Sequence, residues 1–117
     1  MPRNKYNAKR CEYDGIRFDS IAEMNHYCIL KIRQKQGEIS NLECHPKYEL
    51  TINGRPILIR SEGYPNGRRA VYTPDFRYMQ EGRGVVVEDV KRIPTEAYRL
   101  RRAIFEAIYY PVKVDEV

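Results

Sequence analysis

Two short stretches place acids where a folding core would not be expected to hold them. YTPDF, Tyr72 to Phe76, leads a β-rich segment into a proline and a lone aspartate, and VVVEDVK, Val85 to Lys91, ends an apolar run in two acids and a lysine. Residues two apart on a strand project to the same side, so Asp89 and Lys91 point together, about 6.6 Å apart along the backbone, while Glu88 and Val90 point the other way. Pro74 cannot donate a ladder hydrogen bond and marks a place where pairing loosens or bends, immediately before Asp75. A tight connection between the two strands would bring Asp75 and Asp89 onto neighbours. Two carboxylates and a lysine would then hold a hard divalent cation and address a phosphate. Oxygen ligands suit magnesium, and the metal both polarises a phosphoryl oxygen and lowers the pKa of bound water. Lys91 would position or help deprotonate that water and offset charge in the transition state. Singly, each residue has a plainer account: Asp75 as a turn residue, Asp89 with Lys91 as a surface ion pair contributing about 0.5 kcal/mol. Glu88 reads as structural, or as the partner of a basic residue.

The elements that must position these groups follow from local pattern. Asp14-Gly15 marks a turn. Ser20-Ile21-Ala22-Glu23 has the form of a capping box, Ile21, Met24, Cys28 and Ile32 recur at helical spacing, and Gly37 supplies the stop, so a first helix starts at Ser20. KYELTI and RPILIR flank Asn53-Gly54, a strong hairpin signal. SEGYPNGRR supplies turn residues, AVYTPDFRYM a third strand, QEGRG another turn, and VVVEDVK a buried fourth strand, which makes a sheet contiguous in sequence. Pro94-Thr95 opens a second helix in which Ala97, Leu100, Ile104 and Ile108 line one face until Pro111 ends it. VKVDEV alternates like a last edge strand. The expected architecture is an α/β or α+β fold, a mixed central sheet flanked by helices.

The 117 residues suit one domain, 1–117, with residues 1–12 as a basic arm. No apolar run approaches a membrane span, and MPRNKYNAKR is not followed by the apolar block of a secretory signal, so a cytoplasmic location is the expectation. Net charge is +5, from 21 basic and 16 acidic residues, an excess that permits a polyanionic partner without demonstrating one. Its distribution is more informative. Arg3, Lys5, Lys9 and Arg10 crowd the first ten residues with no acid, and Arg99, Arg101 and Arg102 cluster near the far end; both groups could contact phosphates, or be a solvated tail and helix face. Arg99 and Arg102 share a helix face, and Arg68, Arg69 and Arg92 flank the proposed active edge. The odd count of three cysteines, Cys11, Cys28 and Cys44, lacks the paired spacing of structural zinc and fits free thiols. His26 with Cys28, and Cys44 with His45, have no recognised ligand spacing and read as buried or incidental residues.

Pro74-Asp75 followed by Asp89-Val90-Lys91 reproduces the PD…(D/E)xK signature of the restriction-endonuclease-like nuclease superfamily. With YTPDF, the valine-rich strand and an upstream helix carrying an early glutamate, the chain resembles the phage endonuclease I family of Holliday-junction resolvases. From FDSIAE to the final VDEV it also resembles a family of small phage proteins of uncharacterised function usually placed in that superfamily. The resemblance implies a restriction-endonuclease-like core with Asp75 as central metal ligand, Asp89 as second ligand and Lys91 as catalytic lysine. Glu23, which a capping box would also explain, matches the further acid that completes the site. The implied cofactor is Mg2+, with Mn2+ able to substitute. The implied activity is endonucleolytic hydrolysis of DNA, including four-way junctions, by a phage protein acting in the bacterial host. Endonuclease I is an intertwined dimer, which makes a homodimer one of the implied states. Position 89 departs from that family, being aspartate where it has glutamate. The alternative is a catalytically inactive DNA-binding or protein-binding phage factor on the same fold.

Overall fold

Asp14 and Gly15 both take left-handed backbone angles, φ 55° and 72°, which is the geometry a two-residue hairpin turn needs. They join β1 (Cys11–Tyr13) to β2 (Ile16–Phe18), so the expected turn is a complete antiparallel hairpin. The computed structural model describes residues 9–90 and 93–117. Helix α1 (Ile21–Lys35) follows, with Ser20 as its N-cap: the Ser20 hydroxyl accepts from Glu23 N–H at 3.1 Å. Its far end closes at Gly37, φ 82°, where Glu38 N–H reaches back to the Arg33 carbonyl at 2.9 Å.

Beyond α1 come β3 (Ser40–Cys44), β4 (Tyr48–Glu49), β5 (Thr51–Ile52), β6 (Arg55–Pro56), β7 (Leu58–Ser61), β8 (Tyr64–Arg69), β9 (Val71–Tyr72), β10 (Phe76–Gln80), β11 (Gly84–Asp89), α2 (Glu96–Ile108) and β12 (Val114–Glu116). The architecture is mixed α+β. The central sheet has the order β12-β11-β10-β3, with β10 antiparallel to both β11 and β3 and with β12 parallel to β11 at the edge.

Ser40 to Cys44, for which the sequence pattern assigns no element and which has only Leu42 and Cys44 to mark an apolar face, is a strand at one edge of the central sheet. Several expectations need correction. SEGYPNGRR is largely strand β8, paired with β7, and only Glu62 and Gly63 turn. Gly67 is indispensable there: a Cβ at that position would lie 2.8 Å from Leu58 Cβ. AVYTPDFRYM is not one strand, because Thr73, Pro74 and Asp75 break it into β9, which pairs with β4, and β10. Pro74 has no N–H to continue the ladder, and the chain changes sheets there. The sheet is therefore not contiguous in sequence; residues 48–72 form small separate ladders between two of its strands.

Helices cover both faces. On one, Phe76, Tyr78 and Val86 pack with Tyr27 and Leu30 of α1 and with Phe18 and Ile39. On the other, Val87 packs with Phe105 of α2 and with Leu50, Ala70 and Tyr72. Each side chain so buried contributes about 2 kcal/mol. Met24 and Cys28 of the expected α1 stripe and Ile104 of the α2 stripe do pack against the core, but both helices are turned part-way from the expected faces. In α1 the buried residues are Glu23, Tyr27 and Leu30, while Ile21 and Ile32 are 45% and 56% exposed. The larger Tyr27 wins the interior by stacking between Phe18 and Phe76 and donating its hydroxyl to Asp14. In α2 only Phe105 is buried and Leu100 is 59% exposed, because Phe105 meets the rings of Tyr48, Tyr72 and Tyr109 at 4.8–5.0 Å. Among the described residues, no helix is long and apolar enough to cross a membrane.

Glu88 ties α1 to the sheet. Its Oε1 lies 2.8 Å from His26 Nε2, and its Oε2 accepts the Tyr78 hydroxyl at 2.7 Å. Burial opposes its ionisation, but the hydrogen bonds from His26 and Tyr78 outweigh burial and hold the carboxyl below its ordinary 4.5. A depressed folded value means that the contribution is present above the unfolded pKa and lost as pH falls through the folded one. Glu88→Gln should therefore cost roughly 1–3 kcal/mol in urea unfolding at pH 7, with the gap to wild type shrinking below about pH 4.5. A gap that is constant from pH 7 to pH 3 would show that the charge has no part in it.

Candidate metal centre and active site

The end of the central sheet, where β3 finishes, β10 begins and β11 finishes, gathers the candidate residues. Asp75 lies just before β10, opposite the end of β11 in a ladder that pairs Phe76 with Glu88. Asp75 and Asp89 lock this end reciprocally. Asp75 N–H donates to Asp89 Oδ1 at 2.9 Å, and Val90 N–H donates to Asp75 Oδ2 at 2.8 Å. Asp89 Oδ2 accepts the Tyr72 hydroxyl, whose own ionisation is pushed far up by burial and by that hydrogen bond. Both carboxylates are buried, at 3% and 2% exposed.

Glu23 arrives from α1. As third residue after the cap it donates its N–H to the Ser20 hydroxyl, but its carboxylate does not return to the Ser20 N–H as a capping box would. Oε2 accepts Asp19 N–H at 3.3 Å, and Oε1 is hydrogen-bonded to His45 Nε2 at 2.5 Å. Burial raises the Glu23 pKa above 4.5 and the nearby Asp75 charge adds to that rise, against the opposing hydrogen bond and charge of His45.

His45 is the residue that sequence reasoning set aside. It sits one place beyond β3 with φ 54°, a left-handed angle uncommon for a side chain larger than glycine's, and its N–H is bonded to the Asp75 carbonyl at 2.9 Å. That backbone bond carries the β3–β10 ladder one step further and turns the imidazole toward Glu23. One ligand atom each from Glu23, His45 and Asp75 lie within 4.8 Å of one another, an arrangement that could hold a metal ion. Asp89 stands beside this set, not within it, with its oxygens engaged by Tyr72 and the Asp75 amide. The donors are two hard carboxylate oxygens and one imidazole nitrogen, which fit a hexacoordinate divalent ion. The sequence signal for His45 is its position after a cysteine, and Cys44 is not among the clustered ligand atoms; burial, with a lesser push from Glu23, raises its thiol to about 11.

Open clefts reach the centre from two sides. One, of about 390 Å³, lies between the β1–β2 hairpin, α1 and β3, and is lined by Lys31, Gln34 and His45 among others. The other, of about 300 Å³, runs between β9 and the first turns of α2 down to Asp89.

The basic candidates are dispersed. Lys9 and Arg10 are exposed ahead of β1, and Arg99 is exposed on α2. Arg102 lies over the Tyr98 ring and is paired with Glu116, so its charge is engaged within the fold. Arg68 lies 6.0 Å from the Tyr64 ring centroid on the β7–β8 hairpin, and Arg69 meets Glu49 at 3.0 Å. Lys5, Lys91 and Arg92 lie outside the described residues.

A family model described as a protein of unknown function, DUF1064, matches residues 3–117. The chain belongs to the DUF1064 family. No curated protein and no solved structure matches it.

A raised Glu23 value means that its contribution to stability is complete below the unfolded 4.5 and is lost as pH rises through the folded value. Glu23→Gln should accordingly raise the thermal midpoint at pH 8 in EDTA. A divalent ion relieves the same repulsion and displaces the ligand protons. At 100 times its Kd it stabilises by about 2.7 kcal/mol. Wild type should gain several degrees in midpoint on exchange of EDTA for Mg2+ or Mn2+, more at pH 8 than at pH 5, and Asp75→Ala should gain none. Equal midpoints with and without both ions would exclude a metal centre.

Proposed function

We propose that this protein is a metal-dependent DNA endonuclease that hydrolyses phosphodiester bonds, with Mg2+ as the working ion and Mn2+ able to replace it. The observation that carries the reading is the burial of two acids from different elements, Glu23 and Asp75, within one cluster, with Asp89 locked alongside. Buried like charges destabilise a fold. An arrangement that raises the pKa of Glu23 is reasonable where a cation is to be bound. The spacing of Pro74-Asp75 and Asp89-Val90-Lys91, and the resemblance it supports to restriction-endonuclease-like enzymes, directs that cation toward phosphoryl chemistry.

In this reading Asp75, Glu23 and His45 hold the ion, with Asp75 fixed by the His45 N–H on its carbonyl and the Val90 N–H on its Oδ2. An ion in that place supplies Lewis acidity toward a phosphoryl oxygen and lowers the pKa of bound water. Asp89 fixes the Asp75 amide and keeps the break between β9 and β10 at one geometry, while Tyr72 donates to its other oxygen. Lys91, two residues on from Asp89, offsets charge as it develops on the phosphate. Branched DNA, including four-way junctions, is the substrate indicated by the resemblance to endonuclease I, and phage recombination or replication the setting.

Supercoiled plasmid and a synthetic four-way junction, each incubated with Mg2+ or Mn2+, test this directly. Asp75→Ala is expected to lower cleavage by about 10³-fold or more. Lys91→Ala should do likewise while leaving junction affinity within a few-fold, since one lysine is a small part of a multi-phosphate footprint. Retained turnover in that variant would remove lysine from the mechanism. Binding without cleavage by wild type would favour a non-catalytic DNA-binding protein, and neither activity a protein-binding factor.

A further inference from the structure

Four arginines among the described residues are half-buried: Arg33, Arg77, Arg101 and Arg102. Three of them meet a carboxylate, Arg33 at Glu38, Arg77 at Glu43 and Arg102 at Glu116. Arg101 has no ion pair among the described residues. It lines the 300 Å³ cleft that descends to Asp89, together with the hydroxyl-bearing Thr73, Thr95 and Tyr98. A partly desolvated guanidinium has five donors to satisfy and loses more by going unpaired than a surface one. Asp89, the acid in the same lining, forms no ion pair with it; its oxygens accept from the Tyr72 hydroxyl and the Asp75 amide.

We propose that this cleft seats a backbone phosphate of the nucleic acid, gripped by Arg101. Guanidinium is the side chain best matched to two phosphate oxygens at once, and the Thr73 and Thr95 hydroxyls in the same lining suit the remaining ones. The volume is at the small end for ligand sites, enough for one nucleotide-sized group and too little for a duplex. Its floor, Asp89, is hydrogen-bonded to the amide of Asp75, so a phosphate held here lies next to the metal-holding set. It would be a neighbour of the phosphate being cut. That role rests on the nuclease reading; the binding of phosphate by Arg101 does not.

Fluorescence anisotropy of the full chain with a labelled four-way junction, in EDTA so that nothing is cut, separates the two. Arg101→Ala should weaken binding about tenfold and lower the slope of log affinity against log salt by about 0.9, the value for one phosphate contact. Arg101→Lys should recover most of the affinity, since a point charge still addresses phosphate, with a thermal midpoint equal to wild type. Arg83→Ala, which removes a charge paired to Asp115 at 2.9 Å, serves as the control and should stay within twofold. An unchanged affinity and slope in Arg101→Ala, no binding by wild type, or a loss that Arg101→Lys does not recover would each overturn the proposal. Arg101-dependent binding by a wild type that never cuts with any divalent ion would sink the nuclease reading and leave the phosphate seat. Cleavage and binding indifferent to Arg101 would do the reverse.

Discussion

Two side-chain carboxylates do the work of backbone carbonyls at the end of the β10–β11 ladder. Where the next main-chain rungs would fall, Asp89 accepts the amide of Asp75, and Asp75 accepts the amide of Val90. A strand that changes sheets leaves N–H groups unpaired, and an unpaired buried N–H costs about 1–3 kcal/mol. The two aspartates meet that requirement by crossing over one another. Pro74 makes the crossing necessary, since it ends the donor pattern of the strand, and it is itself fully buried, so the break lies within the molecule and not at a surface loop. Everything else at the centre is fitted to this lock. Tyr72 closes the outer oxygen of Asp89 from β9, the strand before the break, and His45 extends β3 by one rung to the carbonyl of Asp75.

The lock also explains why chemistry-bearing acids lie on different faces of one sheet. Along β11 the alternation sends Val86 and Glu88 toward α1, and Val85, Val87 and Asp89 toward α2. Glu88 is used as a structural tie to His26 and Tyr78, while Asp89 faces the α2 cleft. Asp75, at the rim between the two faces, is the one of the three that groups with Glu23 of α1 and His45 among the described residues. A site wrapped around a sheet end in this way is open to a ligand from both sides, whereas one built on a single face would be closed by the helix that covers it.

Much of this was legible in the residues. Ser20 with Glu23, Asn53-Gly54, Gly37 and the valine run of β11 each have one strong local meaning, and local meaning suffices where a turn or cap decides the structure. What was not legible depended on packing or on distant partners. Nothing in Ser40 to Cys44 distinguishes an edge strand of the central sheet from a loop until β10 is there to pair with it. Tyr64 to Arg69 contains proline, asparagine and glycine, and becomes strand because Gly67 leaves room for Leu58 across the hairpin. Aliphatic spacing places Met24, Cys28 and Ile104 on the core side but misses the centre of each face, because Tyr27 and Phe105 turn their helices to bury rings, which leaves Ile32 and Leu100 in solvent. His45 escaped notice since its role is set by a left-handed backbone angle and by a glutamate 22 residues earlier, neither of which leaves a spacing to count.

Glu23 shows how one residue can serve two levels without conflict. A helix N-terminus favours an acid in its first turn, and its amides favour the charged form. The same carboxylate, carried 2% exposed into the sheet end beside Asp75, is disfavoured in that charged form. Were capping its only use, the side chain would remain at the surface, where the helix gains the same electrostatic benefit with no desolvation. Burial instead places Oε1 against His45 and into the range of Asp75, at a cost in stability that the cap does not require. Among the described residues no buried side-chain polar atom lacks a partner, so the charged form of Glu23 is disfavoured by where its charge sits and not by a missing hydrogen bond.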